Sequence, residues 1–150
     1  MSRQLIVAAA TALVDRDHAV TLRAVSREAG LPTSSIYPHF PAGSAILLAV
    51  CHAAFAELSS AVLSASDVHA AGLAYLDFAA LHPSRYRVMF GAFDLAEPTV
   101  RLFTGHTANA LALWLGLHGL AHQRASSRRT HVFSAVAPRL INSLTSEALS

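Results

Sequence analysis

Apolar residues recur every three or four positions along most of this chain, which is the spacing that puts them on one face of an α-helix. The pattern predicts short helices in residues 1–43, a longer helix over 44–63 and further helices in 64–150. We therefore expect an all-α fold with a three-helix head at 1–43, a connecting helix at 44–63 and a C-terminal helical bundle at 64–150.

Residues 21–40 carry the clearest helix boundaries. Thr21 can accept a hydrogen bond from the backbone at the start of a helix, and Gly30 can end that helix in the left-handed conformation. Pro32 suits the first turn of a second short helix, because its missing N–H would have no helical partner there. The pattern predicts two short helices joined by a tight turn, the helix-turn-helix arrangement that enters a DNA groove.

The second of these helices is predicted to have a polar side and an apolar side. Thr33, Ser34 and Ser35 fall on its first turn, where small hydroxyl side chains can approach phosphates and base edges. Ile36 and Phe40 are four residues apart and share a face, which we expect to hold the helix against the head.

Beyond the head, the pattern predicts a chain of further helices. Ser44 is the expected cap of the connecting helix, and Asp67 follows a break and can cap the next helix. Pro138 is expected to kink or divide the last helix. The predicted body helices cover 70–81, 84–90, 99–123 and 130–149, with a loop over 91–98.

Residues 3 to about 55 resemble the DNA-binding domain of the TetR family of bacterial transcriptional regulators, above all in TLRAVSREAGL, IYPHFP and ILLAV. The family pattern at the end of the second short helix is aliphatic, Tyr, basic, His, Phe, and residues 36–40 match four of these five positions. The resemblance implies a homodimer whose two recognition helices enter successive major grooves of DNA, and a ligand-binding helical domain that changes their spacing. The DNA contacts that we assign on this basis are Arg3, Thr21, Arg23, Thr33, Ser34, Ser35, Tyr37, His39 and Ser44.

Two departures from the family pattern reduce the expected charge of the DNA-binding face. Pro38 stands where a basic residue is common, and Gly43 stands where a lysine usually opens the fourth helix. Residues 1–43 hold four arginines against three carboxylates, and the chain has no lysine and a formal net charge of +2. This is a weak electrostatic footprint for a DNA-binding protein. Arg3 can be interpreted as a phosphate contact or as a solvated terminal arginine.

The composition indicates that this chain does not act as a monomer. Its hydrophobic fraction is 53%, and its mean hydropathy is +0.43. Both values are high for a soluble monomer, so we expect apolar surface to be buried between subunits. We predict a homodimer with an isologous contact formed by Trp114, His118, Phe133, Val136 and Leu140.

Residues 72–121 resemble the effector domain of one TetR subgroup, which is marked by a Trp, His and Gly set. Here the set is Trp114, His118 and Gly119, and the subgroup's His-Pro turn reads HPSRYRVMF from His82. The aromatic content indicates a hydrophobic or aromatic small-molecule effector, although core packing explains the same residues at least equally well. The predicted pocket residues are Phe78, Tyr86, Met89, Phe90, Phe93 and Trp114.

Metal binding and catalysis have little support in the sequence. His118 and His122 have the i, i+4 spacing of a ligand pair, but no Cys/His cluster supplies a third ligand. Without a nucleophile elbow or a glycine-rich phosphate loop, we expect no enzyme, no metal and no cofactor. Cys51 is the single cysteine and is interpreted as a packed thiol. With no secretory signal, and with a charge-free stretch at 104–123 that polar residues and glycines interrupt, we expect a cytoplasmic protein without a membrane span.

Two functions remain open on the sequence. The first is a ligand-responsive DNA-binding transcriptional regulator, expected to be a repressor that binds a pseudo-palindromic operator as a dimer and is released by a small molecule. The alternative is a helical small-molecule-binding or interaction protein of the same fold that binds DNA weakly, which Pro38 and Gly43 favour.

Overall fold

The computed structural model describes residues 2–126 and 131–146, with the side chains of 131–135 excepted. Within these ranges all regular secondary structure is helical, which confirms the predicted all-α class. The helices are α1 Ser2–Asp15, α2 Leu22–Ala29, α3 Thr33–Ile36, α4 Gly43–Leu63, α5 Val68–Leu81, α6 Pro83–Ala92, α7 Ala96–Phe103, α8 Ala110–Ser126 and α9 His131–Ser146.

The helices form two compact units, and the boundary between them falls inside α4. The N-terminal unit ends at Phe55, and the C-terminal unit begins at Ala56. The predicted division into 1–43, 44–63 and 64–150 is a functional one and stays a prediction.

The N-terminal unit is built as the helix-turn-helix pattern predicts. The Thr21 hydroxyl oxygen accepts a hydrogen bond of 3.1 Å from the Ala24 N–H and so caps α2. Gly30 ends α2 with φ 65° and ψ 30°, the left-handed conformation expected for this position. The core of the unit consists of side chains from α1 to α4, including Ile6, Ala10, Val25, Ile36, Phe40, Ile46 and Val50.

The prediction that Ser44 caps α4 is wrong by two residues. The Ala42 carbonyl already accepts hydrogen bonds from the N–H groups of Ala45 and Ile46, at 3.2 and 3.3 Å. The helix therefore starts at Gly43, and Ser44 is a residue of its first turn. Within the described residues, α4 is also the one helix long and apolar enough to cross a bilayer by length and composition, with a third of its most apolar window buried inside the protein.

The predicted long helix over 99–123 is two helices. α7 ends at Phe103 and α8 begins at Ala110. Between them, the Thr104 hydroxyl donates to the Arg101 carbonyl at 2.8 Å, and the Thr107 hydroxyl oxygen accepts from the Asn109 N–H at 3.1 Å. These short-range bonds compete with the helical ladder, and Gly105 weakens it further.

Other boundaries in the C-terminal unit also differ from the expectation. α6 extends to Ala92, and α7 starts at Ala96 with Pro98 in its first turn, so the predicted loop is short. α9 runs through Pro138 without being divided. The predicted cap of α5 is confirmed, because the Asp67 carboxylate accepts from the Ala70 N–H at 2.7 Å.

α8 is the central helix of the C-terminal unit and packs against α5, α6, α7 and α9. Close approach of the helices is made possible by glycines. A Cβ on Gly72 would lie 2.8 Å from the Ile141 side chain, and one on Gly116 would lie 2.9 Å from the Leu140 side chain. The C-terminal unit is therefore closely packed where α9 meets α5 and α8.

Candidate functional site

α3 presents a polar turn to solvent from a buried base. Ile36, the last residue of α3, and Phe40, in the turn that follows, are 0% and 2% exposed, as the four-residue spacing predicts. Ser34 and His39 are exposed or partly exposed, as are Thr33 and Ser35. Tyr37 is 57% exposed, so its ring is available to a partner although it follows a buried residue directly. This combination of small hydroxyl groups and an exposed aromatic ring suits contact with DNA phosphates and base edges.

The turn after α3 is tied back to the helix by its own backbone. The N–H groups of His39 and Phe40 both bond the Ile36 carbonyl oxygen, each at 2.9 Å. Arg3 reaches this turn from α1, 36 residues away in sequence. Its guanidinium carbon lies 4.3 Å from the centroid of the Phe40 ring, and its Nη1 lies 3.5 Å from the His39 carbonyl oxygen. Neither sequence interpretation of Arg3, a phosphate contact or a solvated arginine, included this contact.

The remaining predicted DNA-binding residues lie in two places. Thr21 uses its hydroxyl oxygen to cap α2, while Arg23 lies on that helix with its side chain accessible to solvent. Ser44 lies in the first turn of α4. Nearby, Arg16 forms an ion pair of 2.6 Å with Glu28, so one of the four arginines of the head is already neutralised.

Gly43 lies where a side chain would collide with the backbone before α2. A Cβ on this residue would lie 2.5 Å from the Val20 carbonyl oxygen and 3.3 Å from the Thr21 Cα. Both are backbone atoms, so neither can rotate away as the end of a flexible side chain could. The absence of a lysine at the start of α4 therefore has a packing cause in this chain.

The C-terminal unit contains a hydrogen-bonded chain of four side chains, of which Tyr75, Tyr86 and Trp114 are buried and His118 is partly buried. The Trp114 N–H donates to the Tyr75 hydroxyl oxygen at 3.2 Å. The Tyr75 and Tyr86 hydroxyls are 3.0 Å apart, and the Tyr86 hydroxyl lies 2.6 Å from His118 Nδ1. The Tyr75 hydroxyl also lies 3.2 Å from His118 Nδ1. Because the Trp114 N–H can only donate, both tyrosine protons find an acceptor within the chain only if one of them goes to His118 Nδ1. His118 Nδ1 then accepts, from Tyr86 at the shorter distance or from Tyr75, and Nε2 carries the proton.

Burial around this chain disfavours charge on its members. Desolvation lowers the pKa of His118, and the neighbouring His122 lowers it further. Burial raises the pKa of both tyrosines, so both hydroxyls stay protonated. Aromatic rings complete the surroundings, since His118 stacks on Trp114 with ring centroids 4.8 Å apart and meets Phe90 at 4.9 Å.

The predicted pocket residues are only partly brought together by the structure. Tyr86, Phe90 and Trp114 contact one another or His118 through their rings, and we call this group, with Tyr75 and Phe103, the aromatic cluster. Met89 is fully buried next to Phe90 in sequence. Phe78 packs against His82 with ring centroids 5.2 Å apart. Phe93 is partly exposed at the end of α6.

Sequence reasoning missed two members of the aromatic cluster. The ring centroids of Tyr75 and Phe103 are 5.9 Å apart, and both side chains are fully buried. The spacing of aromatic residues along the chain gave no signal that rings from four helices meet.

The predicted dimer contacts differ in how much of each side chain is exposed to solvent. Trp114 is 6% exposed, so its side chain belongs to the interior of the subunit and has little surface to offer a partner. Val136 is 43% exposed, and Leu140 lies near Gly116. Phe133 lies outside the residues whose side chains are described.

His118, His122 and Cys51 show no arrangement that indicates a metal site or a reactive thiol. The rings of His118 and His122 are 6.4 Å apart, and within the described residues no three His, Cys, Asp or Glu side chains cluster as metal ligands. Cys51 is 4% exposed, and burial raises the pKa of its thiol to about 11, which keeps it protonated and unreactive at neutral pH.

Comparison with known proteins decides the fold. The structure of TetR from Acinetobacter baumannii AYE matches with a TM-score of 0.68 and 17% sequence identity over 97% of this chain and 95% of that one. The structure of a single-residue variant of TetR from the same source, in complex with minocycline, matches with a TM-score of 0.66 and 21% identity over 95% and 93%. The chain has the TetR fold.

The likeness to TetR is structural and extends over nearly the whole chain. A scan against protein-family models found no match, and a comparison with curated protein sequences found none. The resemblance to a Trp-His-Gly subgroup of TetR proteins thus stays a prediction. In the structure, two members of that set contact each other: the Trp114 and His118 rings are stacked, and these two residues form the two ends of the hydrogen-bonded chain.

Proposed function

We propose that this protein is a ligand-responsive, DNA-binding transcriptional regulator that acts as a homodimer, in the role of a repressor. The observation that carries the proposal is the exposed turn of α3, with Thr33, Ser34 and Ser35 raised on the buried Ile36 and Phe40, in a chain with the TetR fold. An exposed turn of small hydroxyl residues next to an exposed tyrosine has no evident use in packing. It matches what a recognition helix needs in the major groove.

The proposed DNA site follows from the symmetry of a dimer. Two equal recognition helices read two equal half-sites, so the operator is a pseudo-palindrome with half-sites about one helical turn, roughly 34–36 Å, apart. Thr33, Ser34 and Ser35 contact base edges or phosphates, and Tyr37 and His39 hold the phosphate backbone. The low charge of the head predicts modest affinity with a shallow dependence on salt.

Binding is tested by fluorescence anisotropy with labelled duplexes that tile the region beside the protein's own gene, against a scrambled duplex. Tyr37→Ala should weaken binding to the specific duplex and to the scrambled duplex by similar factors, because a phosphate contact carries no sequence information. A change confined to the specific duplex would instead place Tyr37 on a base. Failure of the wild-type protein to prefer any tiled duplex would contradict the proposed function.

The proposed effector is a small, mainly hydrophobic or aromatic molecule that binds the C-terminal unit. The aromatic cluster of Tyr75, Tyr86, Phe90, Trp114 and His118 supports this choice, because rings with a few convergent polar groups are typical of small-molecule sites. The TetR variant of the same fold was solved in complex with minocycline, which supports a small-molecule effector for this chain as well.

A homodimer is proposed on an exposed apolar face of α8. Leu111 and Leu115 are 59% and 56% exposed, and Gly119 continues the same face at the next i+4 position with open space where a Cβ would lie. A glycine in the middle of a helix costs about 1 kcal/mol relative to alanine. Gly119 would allow a second helix to approach closely across a two-fold axis, which explains why a glycine stands there. Val136 on α9 adds exposed apolar surface.

Leu115→Arg should therefore convert the dimer to a monomer, because it would bury an unpaired charge twice across the two-fold contact. The matched control is Leu81→Arg on α5, where the leucine is 74% exposed and lies outside the α8 face. We expect sedimentation equilibrium at micromolar concentration to give dimers for the wild type and Leu81→Arg, and monomers for Leu115→Arg. A dimeric Leu115→Arg protein would contradict this interface.

The second function that an observation favours is a small-molecule-binding or interaction protein that keeps the fold and binds DNA weakly. Pro38 and Gly43 remove charge from the face around α3, and the Arg16 ion pair with Glu28 neutralises one more cation. The anisotropy experiment separates the two functions, because this alternative predicts equal, weak binding to every duplex.

A further inference from the structure

We propose that Arg3 is a positioning residue for DNA recognition, which clamps the turn after α3 through the Phe40 ring and the His39 carbonyl instead of contacting a phosphate. The proposal rests on the proposed DNA-binding function. It concerns the 3.5 Å approach of Arg3 Nη1 to the His39 carbonyl oxygen and the 4.3 Å distance from its guanidinium carbon to the Phe40 ring centroid.

The recognition turn needs an external clamp because it is very short. α3 has four residues, about one helical turn, and a helix of that length has no stability of its own in water. Its orientation must therefore come from contacts with the rest of the N-terminal unit. Ile36 supplies one anchor from the helix itself, and Phe40 supplies the other from the end of the turn.

Arg3 acts on the second of these anchors. A guanidinium over the face of a phenyl ring is attracted by the negative face of the ring, and the same planar group can donate to a carbonyl. The His39 carbonyl oxygen lies at the end of the α3 turn, where helical partners run out, so a cationic donor suits it. Tyr37 and His39, the two residues proposed to hold the phosphate backbone, lie between the two anchors. Loosening the Phe40 end therefore loosens both of them.

Lysine distinguishes a clamp from a phosphate contact. Arg3→Lys keeps the positive charge but loses the planar group that covers the ring and reaches the carbonyl together. A cation–π contact at an exposed site is worth a factor of about 2 to 5, and a dimer has two, so complete loss of the contact lowers specific affinity by about 4- to 25-fold. Arg3→Gln should cause a similar loss. In both variants the slope of log K against log salt should stay close to that of the wild type.

A phosphate contact predicts the opposite pattern. Arg3→Lys would then bind nearly as the wild type does, and Arg3→Gln would flatten the salt slope by about 0.9 per subunit, or about 1.8 per dimer. The matched controls are Arg23→Lys and Arg23→Gln, because Arg23 is a solvent-accessible arginine of α2 that is proposed to contact DNA. For this residue we expect the phosphate pattern.

A measurement without DNA tests the clamp by itself. The amides of His39 and Phe40 both bond the Ile36 carbonyl, so their hydrogen exchange reports opening of the turn. Exchange at these two amides should be about 2- to 5-fold faster in Arg3→Lys and unchanged in Arg23→Lys, with the melting temperature recorded for each variant. Unchanged exchange in Arg3→Lys, or the phosphate pattern in the salt titration, would overturn the proposal. If the wild type prefers no duplex, the proposed function fails, and the exchange measurement alone decides whether Arg3 clamps the turn.

Discussion

Gly43→Ala should destabilise the N-terminal unit by about 1–3 kcal/mol, the usual range for forcing extra atoms into a packed site. The added Cβ would lie 2.5 Å from the Val20 carbonyl oxygen, whereas even close C–H···O contacts run at about 3.3–3.6 Å. The chain before α2 or the start of α4 must therefore shift. Alanine is the better helix former by about 1 kcal/mol, and this gain offsets part of the loss. Urea unfolding followed by circular dichroism measures the difference.

The control for Gly43→Ala is a helical glycine with free space around it. Gly91 lies in the last turn of α6, and a Cβ there would have no neighbour within 4 Å. Gly91→Ala should be neutral or stabilising by up to about 1 kcal/mol. If Gly43→Ala proved as stable as Gly91→Ala, the close approach of Gly43 to Val20 would be refuted. Gly43→Lys cannot test charge alone, because lysine brings the same Cβ into the same contact.

Local chemistry explains why the head was largely predictable from sequence. Thr21, Gly30, Ile36 and Phe40 each act through neighbours within five residues, by capping, by a left-handed φ or by helical spacing. Signals of this kind depend on the backbone within one or two turns and can be read from the sequence alone. Gly43 shows the limit, since its reason for being glycine lies 23 residues away at Val20.

The C-terminal unit shows why other predictions failed. The prediction of one helix over 99–123 joins two apolar stretches across residues 104–109, TGHTAN, where threonine hydroxyls and Gly105 interrupt the chain between α7 and α8. Periodicity detects which residues are apolar, and it is insensitive to side chains that compete for backbone hydrogen bonds.

The candidate sites divide in the same way. The positions of Thr33, Ser34 and Ser35 on α3 are predictable because they follow each other along one helical turn, and their contact with DNA stays a prediction. The Arg3 contact with Phe40, and the chain from Trp114 to His118 through two tyrosines, join residues that are 11 to 43 positions apart. Such contacts depend on tertiary packing, and the spacing of residues within one helix cannot predict them. The hydrogen-bonded chain that ends at His118 also leads us to expect that the stability of the C-terminal unit depends on pH.

Acid should destabilise the C-terminal unit through His118. In the unfolded chain its imidazole takes up a proton with a pKa near 6.5. In the folded protein desolvation and His122 lower the pKa of His118, so the unfolded state binds more protons over the interval between the two values. The contribution of neutral His118 is therefore fully present above about pH 6.5 and is lost as pH falls, at up to about 1.36 kcal/mol per pH unit.

The hydrogen-bond chain explains why protonation is unfavourable in structural terms. A proton on Nδ1 turns the acceptor that one of the two tyrosine hydroxyls needs into a donor, whether that hydroxyl belongs to Tyr86 or to Tyr75. Because the Trp114 N–H cannot reverse, one tyrosine proton inside the cluster loses its acceptor. An unmade buried hydrogen bond costs about 1–3 kcal/mol.

His118→Asn separates this effect from the titration of the other eight histidines. The asparagine amide oxygen can accept the Tyr86 proton and does not titrate, so the variant keeps an acceptor without the charge change. We expect the free energy of unfolding to fall less steeply in His118→Asn than in the wild type between about pH 7 and pH 5, although the variant is less stable at neutral pH because it loses the ring stacked on Trp114. Equal slopes for His118→Asn and the wild type would show that His118 is not protonated on unfolding in this range, and would remove the physical basis for neutral His118 as the end of the buried chain.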